Sequence, residues 1–415
     1  MKLPPCIFLA LLALVLPLRA EVEWQPAADM DGQLFSSLIL ATATMKPDPK
    51  VKRDPKLLGD QTGLLGIAIK NAPANSLVKI SVRENALMEA CTFTIKIPAT
   101  DREYSIAPKI SYKFDKMRHV FQQRPLNVAF AVELDGQPLG EQMETVNVHS
   151  IDDCPYGVAD SEDALPNAPK KSTKTATKKK STNDRGYVDM SWMFAAYVNE
   201  SHPLIDTILK EALATKIVTA FDGYQAGSRT KVVRQAFAIW RALQDHGIRY
   251  SNTTATPGGS RLVLSQHVRF LEDALGSAQA NCVDGSALFA SILRKLEMDP
   301  FLVLVPGHMY VGVYLDDDED SNAAIAIDTT TLGEDVKPAE AKLIKELRGL
   351  DQKLGAAQRG AAWKSFKAAT AEATEDFRRH KHRFDSGNDP QYQIVDIGTA
   401  RDQGVMPIAY EKAMP

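Results

Sequence analysis

The 415-residue sequence predicts an α+β protein: an all-β N-terminal half, then a domain that mixes helices and strands. Three observations carry this reading. Residues 21–155 hold short β-branched and aromatic runs separated by Gly, Pro, Asn and Asp. Residues 156–186 are polar and rich in lysine, without apolar periodicity. From Tyr187 the apolar spacing changes to three and four residues, the helical period, broken by strand-like runs. At roughly 100–200 residues per domain, a chain of this length holds two or three domains. Its 44% apolar and 24% charged residues exclude wholesale disorder. A net charge of −3 argues against a dedicated nucleic-acid binder and a polybasic membrane protein.

Residues 1–20 read as a secretory signal peptide: Lys2, the apolar run Ile7–Leu18, and Ala20 as a small residue before the cut. The run is too short to span a bilayer, which takes about 20 residues, and no later run approaches that length. Cys6 lies inside the run, which disfavours a lipoprotein anchor. The expectation is an exported protein, periplasmic or secreted, that is not integral to the membrane. Losing Lys2 and Arg19 takes its charge to −5.

Strands are expected at Ser37–Met45, Gly63–Lys70, Ser76–Arg83, Cys91–Ile97, Tyr104–Tyr112, Leu126–Leu134 and Glu144–His149. Leu126–Leu134 alternates cleanly and runs into an Asp135-Gly136 turn. So many short strands in residues 21–155 predict an immunoglobulin-like β-sandwich. Cys91 and Cys154 both precede the lysine-rich stretch, and an oxidising address pairs them as a disulfide, leaving Cys282 as the lone thiol.

Residues 156–186 read as a disordered linker, with Lys170–Lys180 a solvated tether able to touch an anionic cell-envelope surface. Such a tether implies that the C-terminal domain, residues 187–415, folds by itself. There, helices are expected at Pro203–Ala220, Lys231–His246, Gln266–Leu275 and Asn281–Leu296. Strands follow at Phe301–Val305, His308–Leu315 and Ala323–Asp328. A helical insert, about 336–385, breaks at Gly355 and Gly360, and Tyr392–Ile397 is a last strand.

The chemistry concentrates between Asn281 and Asp328. Asn281 is a good N-cap and Asp284 suits the first turn, which puts Cys282 at the first helical position. Free backbone N–H groups and the helix dipole favour a thiolate there. The strand from His308 alternates, so His308 and Tyr310 share one face and Met309 and Val311 the other. If Leu315 opposes Ala323, Tyr310 opposes Asp328, and His308 and Asp328 become diagonal neighbours. Helix-Cys, strand-His, strand-Asp is the layout of an acyl-transfer triad.

These segments resemble the bacterial transglutaminase-like superfamily, which has a papain-like core. The residues that carry the resemblance are Cys282-Val-Asp-Gly-Ser-Ala-Leu-Phe-Ala-Ser-Ile-Leu-Arg, Pro306-Gly-His-Met-Tyr-Val-Gly-Val-Tyr and Ile325-Ala-Ile-Asp-Thr-Thr. The match covers roughly residues 187–331 and leaves out the β-sandwich and the linker. It implies Cys282 as nucleophile, His308 as general base and acid, and Asp328 as the residue that orients the imidazole.

Gln266, Gln279 and Trp240 are upstream candidates for an oxyanion donor, and Gln266 is preferred. The acidic run Asp316–Asp320 reads as a solvated hairpin loop, with calcium binding as the alternative. His380 and His382, among arginines, read as a basic helix end. No metal ligand set and no cofactor motif is read. The expected function is an exported cysteine peptidase or amidase acting on a protein or peptide. Two rivals stand beside it. One is a crosslinking transglutaminase, in which an amine instead of water takes the acyl group. The other is a non-catalytic binding module for a protein or wall polymer.

Overall fold

The computed structural model describes residues 21–46, 53–99, 103–166, 186–252, 259–318, 321, 323–336, 342–387 and 389–408. The leader read at 1–20 and the Lys170–Lys180 tether lie outside the described residues. The N-terminal part comprises β1 (Glu23–Ala28), β2 (Gln33–Phe35), α1 (Ser36–Ala41), β3 (Leu57–Gly59), β4 (Leu65–Lys70), β5 (Leu77–Val82), β6 (Cys91–Lys96), β7 (Tyr104–Ala107), α2 (Phe114–Met117), β8 (Arg124–Leu134) and β9 (Gln137–His149). They form two sheets, β1-β4-β7-β3 and β2-β9-β8-β5-β6. Alternate residues of each turn inward to a single core: Ile67 and Ile69 from one sheet, Val78, Ile80, Val128 and Phe130 from the other. Asp135 and Gly136, both at positive φ, make the tight turn that sets the β8–β9 register, as their Asp-Gly sequence predicts.

The remainder comprises β10 (Asp153–Ala159), β11 (Tyr187–Asp189), α3 (Pro203–Ala214), α4 (Arg229–Asp245), β12 (Arg249–Tyr250), β13 (Val263–His267), α5 (Leu271–Ser277), β14 (Gln279–Ala280), α6 (Cys282–Lys295), β15 (Pro300–Val305), β16 (His308–Tyr314), β17 (Ala324–Ile327), α7 (Lys345–Lys353), α8 (Ala361–Ser386), β18 (Gln393–Asp396) and α9 (Ile397–Asp402). The central sheet runs β17-β16-β15-β18. Met309, Val311 and Val313 turn into the core shared with α6, whose Leu288, Phe289 and Ile292 are buried there. Burial of each such side chain stabilises by about 1.5–3 kcal/mol. Phe301, Tyr310 and Ala326 turn to the other face, against Phe377 and Phe384 of α8. The sheet is thus sandwiched between α6 and α8. The expected insert breaks near Gly355 and Gly360, between α7 and α8, and α8 runs on to Ser386.

Several elements differ from the sequence reading. Ser37–Met45, expected as a strand, begins within helix α1, because a short run buried on all sides lacks the period that separates helix from strand. Its Ser37 hydroxyl donates to the Asp153 carbonyl at 2.6 Å. The expected helix Gln266–Leu275 is split: Gln266 and His267 end β13, and only Leu271–Ser277 is helical. The strand β10 enters the stretch read as linker and is the middle strand of the sheet β11-β10-β13. Cys91 and Cys154 are not joined; both are free thiols. Cys91 opens β6 beside the N-terminal core, whereas Cys154 is buried on β10 within the C-terminal core. Sequence order placed them together, but the chain has already crossed into the second core at Cys154.

That crossing has a measurable consequence. Met30, Phe35 and Leu38 also belong to the C-terminal core. Removing residues 21–165 strips these side chains and the middle strand β10. The fragment is expected to lose its cooperative thermal transition, followed by circular dichroism. A sharp melt would show that β10 is dispensable. Among the described residues, no helix is long and apolar enough to cross a membrane.

Candidate active site

Asn281 caps α6: its side-chain oxygen accepts from the N–H groups of Val283 and Asp284 at 2.8 and 2.9 Å. Asp284 returns the bond, accepting from the Asn281 N–H at 3.0 Å. This box fixes Cys282 at the first position of the helix, where backbone N–H groups lack intrahelical partners. The Asp284 carboxylate is fully buried and also accepts from the Arg269 backbone N–H and guanidinium, both at 2.8 Å. One carboxylate therefore pins the segment after β13 to the start of α6. Gly285 permits close approach on the next flank, since a Cβ there would meet Thr329 Oγ1 at 2.5 Å.

Leu315 N–H donates to the Ala323 carbonyl at 2.8 Å, and β16 pairs with β17 from Tyr314/Ala324 to Val311/Ile327. This is the register the sequence reading required. It brings the His308 Nε2–H to Asp328 Oδ2 at 3.0 Å. The other Asp328 oxygen accepts from the Thr330 N–H and hydroxyl at 3.0 and 2.7 Å. With Nε2 so held, the other ring nitrogen of His308 has no tie to Asp328, and Cys282 lines the same cleft and helps raise the imidazole. Cys282, His308 and Asp328, separated by 46 residues of chain, are thus one connected group.

The hydrogen bond that His308 gives to Asp328, and then the Cys282 sulfur, push His308 up to about 10, against an ordinary 6.5, and burial only partly opposes this. Burial works against ionisation of Asp328, but the His308 and Thr330 bonds outweigh it and hold the carboxyl below the ordinary 3.8. The signs follow from linkage. The His308 contribution to stability is complete below pH 6.5 and disappears as pH rises through about 10. The Asp328 contribution is present above pH 3.8 and is lost as pH falls further. The difference in denaturation midpoint between the native chain and Asp328→Asn is therefore expected to be largest near about pH 5–6 and to close by about pH 10. A difference that grows with alkali would overturn the assignment.

Cys282 and His308 open into a cleft of about 370 Å³ between β10, β11 and β13 on one side and the β15–β16 turn on the other. Tyr156, Tyr187, Phe194, Leu304 and Pro306 make its walls largely apolar. Gln266 lines the same cleft; its amide nitrogen donates to the His267 carbonyl at 2.9 Å and has a second hydrogen free. Gln279 and Trp240, the other oxyanion candidates, are not among the cleft-lining residues, and the Trp240 N–H is bound to the Ser365 hydroxyl.

Tyr250 was missed. β12 pairs with β14 directly before Cys282, and burial followed by the charges of Cys282 and Asp328 raises the Tyr250 phenol. A two-residue parallel ladder leaves no periodic signal in the sequence. In the acidic loop, Asp316 is paired with Arg229, and Glu319 and Asp320 lie outside the described residues. His380 pairs with Asp376 one turn away at 3.2 Å. Comparison with protein-family models and with curated proteins finds no match to this chain.

Proposed function

We propose that the protein is an exported cysteine-nucleophile enzyme that acts on amide bonds by acyl transfer, with Cys282, His308 and Asp328 as its triad. The observation that supports this most is His308 held between the Cys282 thiol and the Asp328 carboxylate, at the mouth of an open cleft. The reading takes the C-terminal domain as transglutaminase-like, with a papain-like core, and the N-terminal sheets as an immunoglobulin-like sandwich.

In the first step His308 takes the Cys282 proton, and the sulfur bonds to the substrate carbonyl carbon as the C=O pair moves onto oxygen. The Cys282 backbone N–H and the Gln266 amide would receive the oxyanion. The C–N bond breaks as the His308 imidazolium gives its proton to the leaving amine. Neutral His308 then takes a proton from water, which attacks the thioester and frees Cys282. An amine arriving instead of water gives transamidation from the same acyl-enzyme. The aromatic walls favour an apolar side chain next to the scissile carbonyl.

Selective labelling tests the reading. Burial pushes the Cys91 thiol up and the fully buried Cys154 thiol much further, so both are poor nucleophiles in the folded chain. Iodoacetamide at neutral pH is expected to modify Cys282 first, located by peptide mapping. His308→Ala is expected to slow that labelling about tenfold or more. An inert Cys282 would leave the binding-module reading in its place.

A further inference from the structure

Behind the cleft floor, His149, Asp152, Asp153 and His267 meet where the two parts of the molecule join. His267 and Asp153 are directly opposite in the β10–β13 ladder. Gln266 lines the cleft, and its neighbour His267 reaches the acidic pair. Asp153 is 1% exposed, yet neither of its carboxylate oxygens has a hydrogen-bond partner, and Asp152 Oδ1 has none either. Leaving buried carboxylate oxygens unmatched is costly. His267 Nδ1 lies 3.5 Å from Asp153 Oδ1 and 3.7 Å from Asp152 Oδ1. Both distances exceed an N–H···O bond, about 2.7–3.2 Å. They approach the edge of a tetrahedron of N and O ligands about 2.0–2.2 Å from zinc, roughly 3.3–3.5 Å.

We propose that Asp152, Asp153 and His267 bind a divalent transition-metal ion, with zinc the best match to this mixed carboxylate and imidazole set. The three ligand atoms lie within 4.8 Å of one another. Asp152 and His267 are partly exposed while Asp153 is buried, so an ion enters from the solvent side and keeps an open position for water. His149 completes the outer shell. Its Nδ1 lies 3.4 Å from Asp153 Oδ2, and its Nε2–H donates to Gln33 Oε1 at 2.9 Å. The Gln33 amide is itself fixed by a bond from its Nε2 to the Asp31 carbonyl at 2.9 Å. Such outer partners orient ligands and tune affinity. The ion would tie β10 to β13, and through Arg269 and Asp284 to the start of α6, so it stiffens the cleft floor without touching the reacting atoms.

Titration of the full chain with zinc chloride, followed by calorimetry and by metal analysis after dialysis, tests this. One equivalent per chain is expected, with a rise in melting temperature of about 3 °C or more in excess zinc. Affinity is expected to climb with pH, because the imidazole must release its proton to bind. Asp152→Asn and His267→Gln, both at partly exposed positions, are each expected to weaken binding about tenfold or more. His382→Gln is expected to leave it unchanged. No binding at pH 8, or binding indifferent to Asp152→Asn and His267→Gln, overturns the proposal. In the second case the cluster is a buried proton-linked network and the zinc sits elsewhere. Because zinc uptake is read directly, the result is independent of whether Cys282 proves catalytic.

Discussion

Cys282→Ala is expected to reduce amide turnover to background, and His308→Ala to lower kcat by about 10²–10⁴-fold. Without Cys282 no acyl-enzyme forms. Without His308 no group remains to protonate the leaving amine or to take the proton from water. Asp328→Asn is expected to cost about 10²-fold or more, since Asn has one side-chain oxygen where Asp328 uses two, one for His308 Nε2 and one for Thr330, and the charge that raises the imidazole is gone. The three groups act as one unit in the proposed mechanism, so their effects are not additive. The double variant His308→Ala, Asp328→Asn should match His308→Ala alone. Peptide-amide turnover followed by mass spectrometry, with and without a primary amine, reads all of this and separates hydrolysis from transamidation. An additive double variant would count against a triad.

The largest stability effect is expected at Asp284. Asp284→Ala removes a buried carboxylate that pairs with the Arg269 guanidinium, and half of the capping box. Breaking a buried pair from one side costs about 3–5 kcal/mol. The same change frees the loop after β13 and the first turn of α6, so Cys282 loses its fixed position. Denaturant unfolding should show the loss as a lower midpoint with an unchanged slope. Asp284→Asn is expected to fall between, retaining the shape and one acceptor. A neutral Asp284→Ala would mean that the cap and the ion pair do not hold the nucleophile. Activity should fall in parallel, which distinguishes this positioning role from that of His308, where the fold persists and turnover does not.

Much of the site was legible because it is built from local rules. Asn281 and Asp284 write a helix start, and that start dictates where Cys282 stands. The alternation from His308 to Leu315 and the short acidic loop fix a hairpin, and the hairpin register carries His308 to Asp328. What was not legible depends on partners distant in the chain. β10 hides in a polar stretch because its pairing partners begin at Tyr187 and Val263. Gln266 reads as helical because Leu271 and Leu275 extend an apolar spacing that the chain breaks at His267. Tyr250 and Arg269 reach the site through Ala280 and Asp284, far from them in the chain.

The sequence by itself determined the α+β composition, the thiol at a helix start, and the order of thiol, imidazole and carboxylate. Each of these follows from side-chain periodicity or a cap within a few residues, where chain connectivity alone sets the neighbours. Tertiary structure decided which cysteines share a core, and it left Cys91 and Cys154 apart. It also decided that Asp152 and Asp153 lie against His267, more than a hundred residues away. Such meetings are set by sheet register and by packing between layers, which are global properties of the fold. No local pattern along the chain encodes them.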